Sequence, residues 1–148
     1  MPGPPAAIDA ATFDRLLREH VPMAKGFGCE TLEITRGRAR LRLPFDPKLI
    51  RPGDTVSGPA IFTLADTALY AAVLSHTGLE PLAVTADMQL RFLRSAGRHT
   101  LLAEARLLKT GARLAVGEVR VWREGEEPDR LVALATGAYA IPSGASTP

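Results

Sequence analysis

The sequence predicts an α+β domain: a curved antiparallel sheet of five to six strands wrapped around one long central helix. Three observations lead there. Residues 57–74, SGPAIFTLADTALYAAVL, read as a helix that is apolar on every side, with one acid, Asp66, in its middle. A helix with no polar face has to be enclosed. Around it lie segments with strand-like alternation, two before the helix and four after. The chain has 148 residues, enough for one core, so those strands are expected to form the layer that encloses the helix.

The elements follow in order. Residues 1–8, MPGPPAAI, read as a loose tail. Asp9 or Thr12 can cap a short helix over roughly 12–20, with Phe13, Leu16 and Leu17 on one face. Pro22 and the glycines of KGFG stop it. In CETLEITRGRARLRLPF, Leu32 and Ile34 alternate with Glu33 and Thr35. After Arg36-Gly37, Ala39, Leu41 and Leu43 alternate with arginines, which predicts a hairpin with one wet face. DPKLIRPGDTVSGP is rich in proline and glycine and reads as a loop. Ser57 suits the N-cap of the long helix and Pro59 its first turn, where a missing N–H costs nothing. That helix is expected to end near Ser75, with Gly78 and Pro81 beyond.

Four strands fit the remainder. In VTADMQLRF, Val84, Ala86, Met88, Leu90 and Phe92 share one face, and Thr85, Asp87, Gln89 and Arg91 the other. HTLLAEARLLK, RLAVGEVRVWR and RLVALATGAYAI follow, separated by Thr110-Gly111 and the charged loop EGEEPD. The final PSGASTP, 142–148, reads as a second loose tail. The whole chain, 1–148, is read as one domain.

Composition excludes several classes. One cysteine, Cys29, rules out an intrachain disulfide framework and fits a reducing compartment. The N-terminus has no basic and apolar signal pattern, so a cytoplasmic location is expected. The apolar run is short for a bilayer span and carries Asp66, which argues against membrane insertion. The net charge of +2 is spread over scattered arginines. It suits an anionic ligand and is too diffuse to argue for nucleic acid. His20, His76 and His99 have no paired ligand spacing, so no metal site is expected. Cys29 reads as a small core residue rather than a nucleophile.

An antiparallel sheet curled around a single apolar helix is the hotdog arrangement. The chain resembles hotdog-fold acyl-CoA thioesterases of the phenylacetate-degradation (PaaI) type over roughly residues 20–141. The resemblance rests on GFGCETLEITRGRARLRLPF, SGPAIFTLADTALYAA, TADMQLRFLRSAGRHTLLAEARLLKTGARLAVGEVRVW and RLVALATGAY, with LADTA its most specific piece. In that family an HGG motif opens the helix, and an acid eight residues after the first glycine activates water or attacks the thioester. Here the opening is Ser57-Gly58-Pro59, and the acid eight residues after Gly58 is Asp66. Serine stands for the histidine and proline for the second glycine. Arg51 occupies the position six residues upstream where the family has Asn or Gln.

The resemblance thus implies hydrolysis of an acyl-CoA, with Asp66 as base or nucleophile and the Gly58 N–H as oxyanion donor. No cofactor is implied beyond the coenzyme A of the substrate. The open N–H groups and positive dipole end of a helix suit the donor role. Asp66 lies two turns further along, about 12 Å on the helix axis. One thioester cannot touch both ends in one subunit, but a two-fold dimer can bring Gly58 of one chain to Asp66 of the other. Family members are similar in having sites at a dimer interface, so a homodimer, or a tetramer built from it, is expected.

Around that site the candidate substrate contacts are Arg51, Ser57, Pro59, Phe62, Thr63, Tyr70, Thr85, Arg91 and Arg94. The hydroxyls of Thr63 and Tyr70 can orient the carboxylate. A buried acid is costly unless paired, so the bland alternative makes Asp66 a structural acid bonded to a backbone N–H or an arginine. Arg51 has three readings: a clamp on the substrate, a partner that ties up Asp66, or a solvated loop residue. Thr85, Asp87 and Gln89 form a solvated or dimer-facing row. Arg91, Arg94, Arg98 and Lys109 either hold coenzyme A phosphates or are surface charges. The competing function is a non-catalytic hotdog module that binds acyl-CoA or a related ligand. A hydratase ranks last, because Asp66 lacks a suitably placed histidine on its helix. Whether Asp66 is free to act or tied up by Arg51 separates the first two.

Overall fold

The computed structural model describes residues 3–80 and 82–143. Helix α1 (Ala10–His20) is capped by Asp9, whose Oδ1 accepts the Thr12 N–H at 2.8 Å. It therefore starts two residues before the expected boundary, and it buries Phe13, Leu16 and Leu17 as expected. Pro22 does more than stop α1. It opens a second short helix, α2 (Pro22–Phe27), because a proline fits a first helical turn. Gly28, at φ 82, ends α2 in the left-handed region.

Strands β1 (Glu30–Thr35) and β2 (Arg38–Leu43) form the expected hairpin. Ala39, Leu41 and Leu43 are fully buried. Leu32 is not: a bulge at Thr31/Glu33 breaks the alternation on this edge strand and leaves Leu32 exposed. The loop before the long helix carries unexpected order. A 3₁₀ turn (Pro47–Leu49) leads into a two-stranded ribbon of β3 (Ile50–Arg51) and β4 (Thr55–Val56).

Helix α3 (Gly58–Thr77) is the central helix. The Ser57 Oγ accepts the Ala60 N–H, and Gly78 caps the far end at φ 83. Pro81 lies outside the described residues. Strands β5 (Val84–Phe92), β6 (Leu101–Thr110), β7 (Leu114–Arg123) and β8 (Leu131–Ala140) complete one six-stranded antiparallel sheet in the order β1-β2-β6-β7-β8-β5. This is the expected α+β architecture, with the sheet curled around α3. By length and hydropathy α3 could cross a membrane. Its apolar residues are instead enclosed by the sheet, with Leu64, Ala65, Ala68, Leu69 and the run 71–74 fully buried.

Two glycines set how closely α3 sits. Gly117 on β7 and Gly137 on β8 are partners in the ladder. A Cβ at Gly117 would lie 2.7 Å from Leu69 Cδ1, and one at Gly137 would lie 2.9 Å from the Asp87 carbonyl and 3.1 Å from Leu69 Cδ2. Leu69 therefore enters a notch that only glycine leaves open. It lies one turn beyond Asp66, so the notch also fixes the height of the acid.

The N-terminal tail needs correcting. Residues 5–8 are docked: the Ala7 N–H donates to the Ser75 carbonyl at 2.7 Å, and Ile8 is buried in the core. Residues 1–2 and 144–148 of the two expected tails lie outside the described residues.

Candidate active site

Asp66 is half-buried on the one stripe of α3 that the sheet does not cover. Its Oδ1 accepts two hydroxyl hydrogen bonds, from Tyr139 at 2.7 Å and from Thr85 at 2.9 Å. The Tyr139 hydroxyl also lies 3.2 Å from the Asp66 carbonyl oxygen. Thr85 and Tyr139 are cross-strand partners on β5 and β8, so the sheet ladder brings the two donors to one carboxylate oxygen. The Tyr139 ring is buried and stacks on Tyr70, with centroids 5.6 Å apart, and Phe13 of α1 meets Tyr70 edge-on at 5.7 Å. Burial, and then the charge of Asp66, push the Tyr139 phenol well above its usual range. It therefore stays a protonated donor at neutral pH.

A cleft of about 430 Å³ opens beside the acid, lined by Leu17, Val21, Tyr70, Ala83 and Val84 as well as the Asp66 cluster. A second cleft, of about 510 Å³, lies at the start of α3 and is lined by Arg51, Gly58, Ile61, Phe92, Leu93 and Arg94. The two candidate catalytic groups, Asp66 and Gly58, therefore sit in separate clefts of one chain. Gly58 holds the first helical position, where the N–H has no intrahelical acceptor. The Phe92 ring covers it, 3.2 Å from where a Cβ would stand.

The other expected site residues divide. Tyr70 and Thr85 line the Asp66 cleft. Thr63 does not orient Asp66: its hydroxyl donates to the Pro59 carbonyl at 2.9 Å, a back-bond within the helix. Phe62 and Pro59 lie exposed on the open stripe of α3, and Ser57 acts as the cap. Arg51 is exposed, and its Nε donates to the Pro52 carbonyl at 3.0 Å. Within the chain it makes no pair with Asp66. Arg94 lines the Gly58 cleft, but its guanidinium is held by Glu126 at 2.6 Å and by the Arg130 carbonyl. Arg98 is paired with Asp54. Arg91 is exposed on β5 and lines neither cleft. Burial pushes the Cys29 thiol up to about 12, which leaves it inert as a nucleophile at neutral pH. Among the described residues no group of three His, Cys, Asp or Glu side chains is placed to hold a metal ion.

Tyr139 was not among the expected site residues. Its only sequence signal is a tyrosine within an apolar strand, and its relation to Thr85 depends on β8 pairing with β5.

Comparison with known proteins agrees with this architecture. Residues 53–128 match the family described as the thioesterase superfamily. A crystal structure of a candidate thioesterase from Silicibacter sp. TM1040 is 40% identical, covers 93% of this chain and 94% of that one, and superposes with a TM-score of 0.82. The PaaI protein of the Escherichia coli phenylacetic acid degradation operon is 25% identical, over 92% of this chain and 95% of that one, with a TM-score of 0.79. A candidate esterase of Saccharolobus solfataricus is 27% identical over 114 residues, 77% of this chain and 73% of that protein. The chain belongs to the thioesterase superfamily and has its hotdog fold. Thioester hydrolysis is the activity class that this membership supports.

Proposed function

We propose that the protein hydrolyses an acyl-CoA thioester to the free acid and coenzyme A, at a site shared between two subunits. The observation that carries this reading is the state of Asp66. It is oriented by two neutral hydroxyl donors, and among the described residues no cation of its own chain is paired with it. An acid kept for structure alone would be expected to hold a charge partner or a buried backbone donor. An acid silenced by Arg51 would be bonded to it.

The chemistry follows. Water attacks the thioester carbonyl carbon as its proton passes to the Asp66 carboxylate. The negative charge on the carbonyl oxygen is met by the Gly58 N–H at the positive end of the partner's α3. The carbon–sulfur bond then breaks, and the leaving thiolate takes up the proton. If Asp66 attacks directly, the carbon–sulfur bond breaks as an Asp66–acyl anhydride forms, the same donor serves, and attack of water on the Asp66 carboxyl carbon then frees the acid and leaves ¹⁸O in Asp66 after a single turnover. Of the cations read as phosphate contacts, exposed Arg91 and Lys109 remain for coenzyme A, since Arg94 and Arg98 are already paired, and exposed Arg51 can join them.

The second subunit is argued from the edge strand. β5 terminates the sheet, and its nine residues have no strand on their outer side among the described residues. It also exposes Val84, Phe92 and the following Leu93 beside the open stripe of α3. Such an edge invites another strand. β5 starts beside Asp66, through Thr85, and ends against Gly58, through Phe92. Pairing two β5 strands antiparallel across a two-fold axis brings the Asp66 end of one chain to the Gly58 end of the other. The apolar lining from Leu17, Val21 and Tyr70 would take the acyl group.

The test is thiol release from a panel of acyl-CoAs by wild type and Asp66→Ala. Turnover by wild type that falls at least about 100-fold in the variant is expected. Wild type that binds acyl-CoA without turnover would replace this reading with that of a binding module.

A further inference from the structure

We propose that Tyr139 is a positioning residue that locks the Asp66 carboxylate with Oδ1 engaged and Oδ2 turned to the cleft, so that Oδ2 is the oxygen that reacts. Three observations carry this. Both hydroxyl hydrogen bonds, from Tyr139 and from Thr85, converge on Oδ1. Among the described residues no donor reaches Oδ2, although Asp66 lines a cleft large enough for water and an acyl group. Tyr139 itself cannot move easily: it is 4% exposed, is stacked on Tyr70, and is braced through that ring by Phe13. A free carboxylate on a helix rotates about its terminal torsion, and its two oxygens exchange roles. Two donors on one oxygen remove that freedom. The arrangement also divides the labour of the two hydroxyls. Thr85 is exposed on an edge strand and Tyr139 is buried on an interior one, so the rigid half of the lock is the tyrosine.

The lock also links α1 to the acid. Phe13 presses Tyr70, Tyr70 stacks on Tyr139, and Tyr139 bonds Asp66, while Leu17 of the same helix lines the cleft. The short N-terminal helix therefore supports the orientation of the carboxylate as well as covering its pocket.

This inference deepens the proposed hydrolysis and takes its rate readout from it. Tyr139→Phe keeps the stacked ring and removes only the hydroxyl. With the best acyl-CoA, kcat is expected to fall roughly 10-fold or more, the scale of a lost hydrogen bond to a charged group, while KM stays within about two-fold. Asp66→Ala/Tyr139→Phe is expected to be no slower than Asp66→Ala alone, because the tyrosine acts only through the acid. An unchanged kcat in Tyr139→Phe, or an equal loss in both backgrounds, would overturn the assignment. Crystals of Tyr139→Phe supply a readout that needs no activity: the Asp66 carboxylate is expected to leave its single orientation. If wild type proves inactive, the hydrolysis reading falls, and an Asp66 still fixed in those crystals overturns the lock as well. An Asp66 set loose there supports the lock alone.

Discussion

The middle of α3 and its first turn are built to opposite standards. Around Asp66 the helix is seated in a glycine notch, the acid is held by two hydroxyls, and its neighbours are stacked rings. Around Gly58 the ring that covers the backbone, Phe92, is 57% exposed, and Arg51, one of the two arginines that line the cleft, is exposed on a short ribbon. One region is closed within a single chain, and the other stands open. Groups that must orient an acid need a rigid frame. The backbone N–H at a helix start needs only an open approach, which a second subunit can complete. The contrast therefore favours a site divided between chains over two independent sites.

The largest effect expected is in subunit mixing. Gly58→Pro removes the proposed donor N–H at a position where helices accept proline, and about a 100- to 1,000-fold loss of kcat is expected. Asp66→Ala is expected to be at least as damaging. When the two inactive proteins are refolded together, half of the dimers pair unlike chains, and each of these holds one intact site. About a quarter of wild-type activity should then return. No recovery, in a mixture shown to contain heterodimers, would place both groups in one chain and break the comparison.

A smaller effect tests rigidity. Gly137→Ala pushes a methyl to within 2.9 Å of the Asp87 carbonyl, a backbone atom of the paired strand, and 3.1 Å of the fully buried Leu69 side chain. It should cost about 1–3 kcal/mol, seen as a melting point lower by roughly 5 °C. Gly58→Ala meets only the exposed rim of Phe92 at 3.2 Å, and a change below about 0.5 kcal/mol is expected. Equal losses at the two glycines would mean that the helix start is as tightly framed as its middle.

Much of this was legible before the structure. The all-round apolar helix demanded an enclosing sheet, and the alternation of β6, β7 and β8 supplied one. Asp66 stood out as the one acid of that helix, and Gly58 entered through the resemblance of the helix opening to the family motif. The missing pieces share a cause. Tyr139 reaches Asp66 only because the last strand pairs with β5, out of chain order, and no local pattern reports that register. The bulges in β1 and β5 shift the alternation by one residue, which is why Leu32 and Val84 are exposed despite their apolar spacing. Residues 5–8 look like a polar-free tail of proline and alanine, yet Ile8 supplies an anchor and Ser75 a carbonyl, and neither could be paired from sequence. Helical spacing alone puts Thr63 one turn from the acid, but a threonine within a helix bonds its own backbone first.

The smallest effect expected is at Arg51, and it decides what the open end of α3 is for. Its guanidinium is exposed and, among the described residues, bonded only to the neighbouring Pro52 carbonyl. Opposite charges about 4 Å apart in water gain only about 1 kcal/mol, and salt weakens that further. If Arg51 meets a phosphate or the acyl carbonyl of the substrate, Arg51→Ala should raise KM about fivefold at low ionic strength and less at high salt, with kcat unchanged. The same residue borders the Gly58 cleft, which the proposed dimer turns toward the partner's Asp66. An arginine bonded to that carboxylate would restrain it, and its removal would raise kcat instead. A KM effect that salt erases makes Arg51 part of the binding surface. A rise in kcat would show that the two ends of α3 regulate each other across the dimer, and the open end would then be a brake rather than an unfinished half-site.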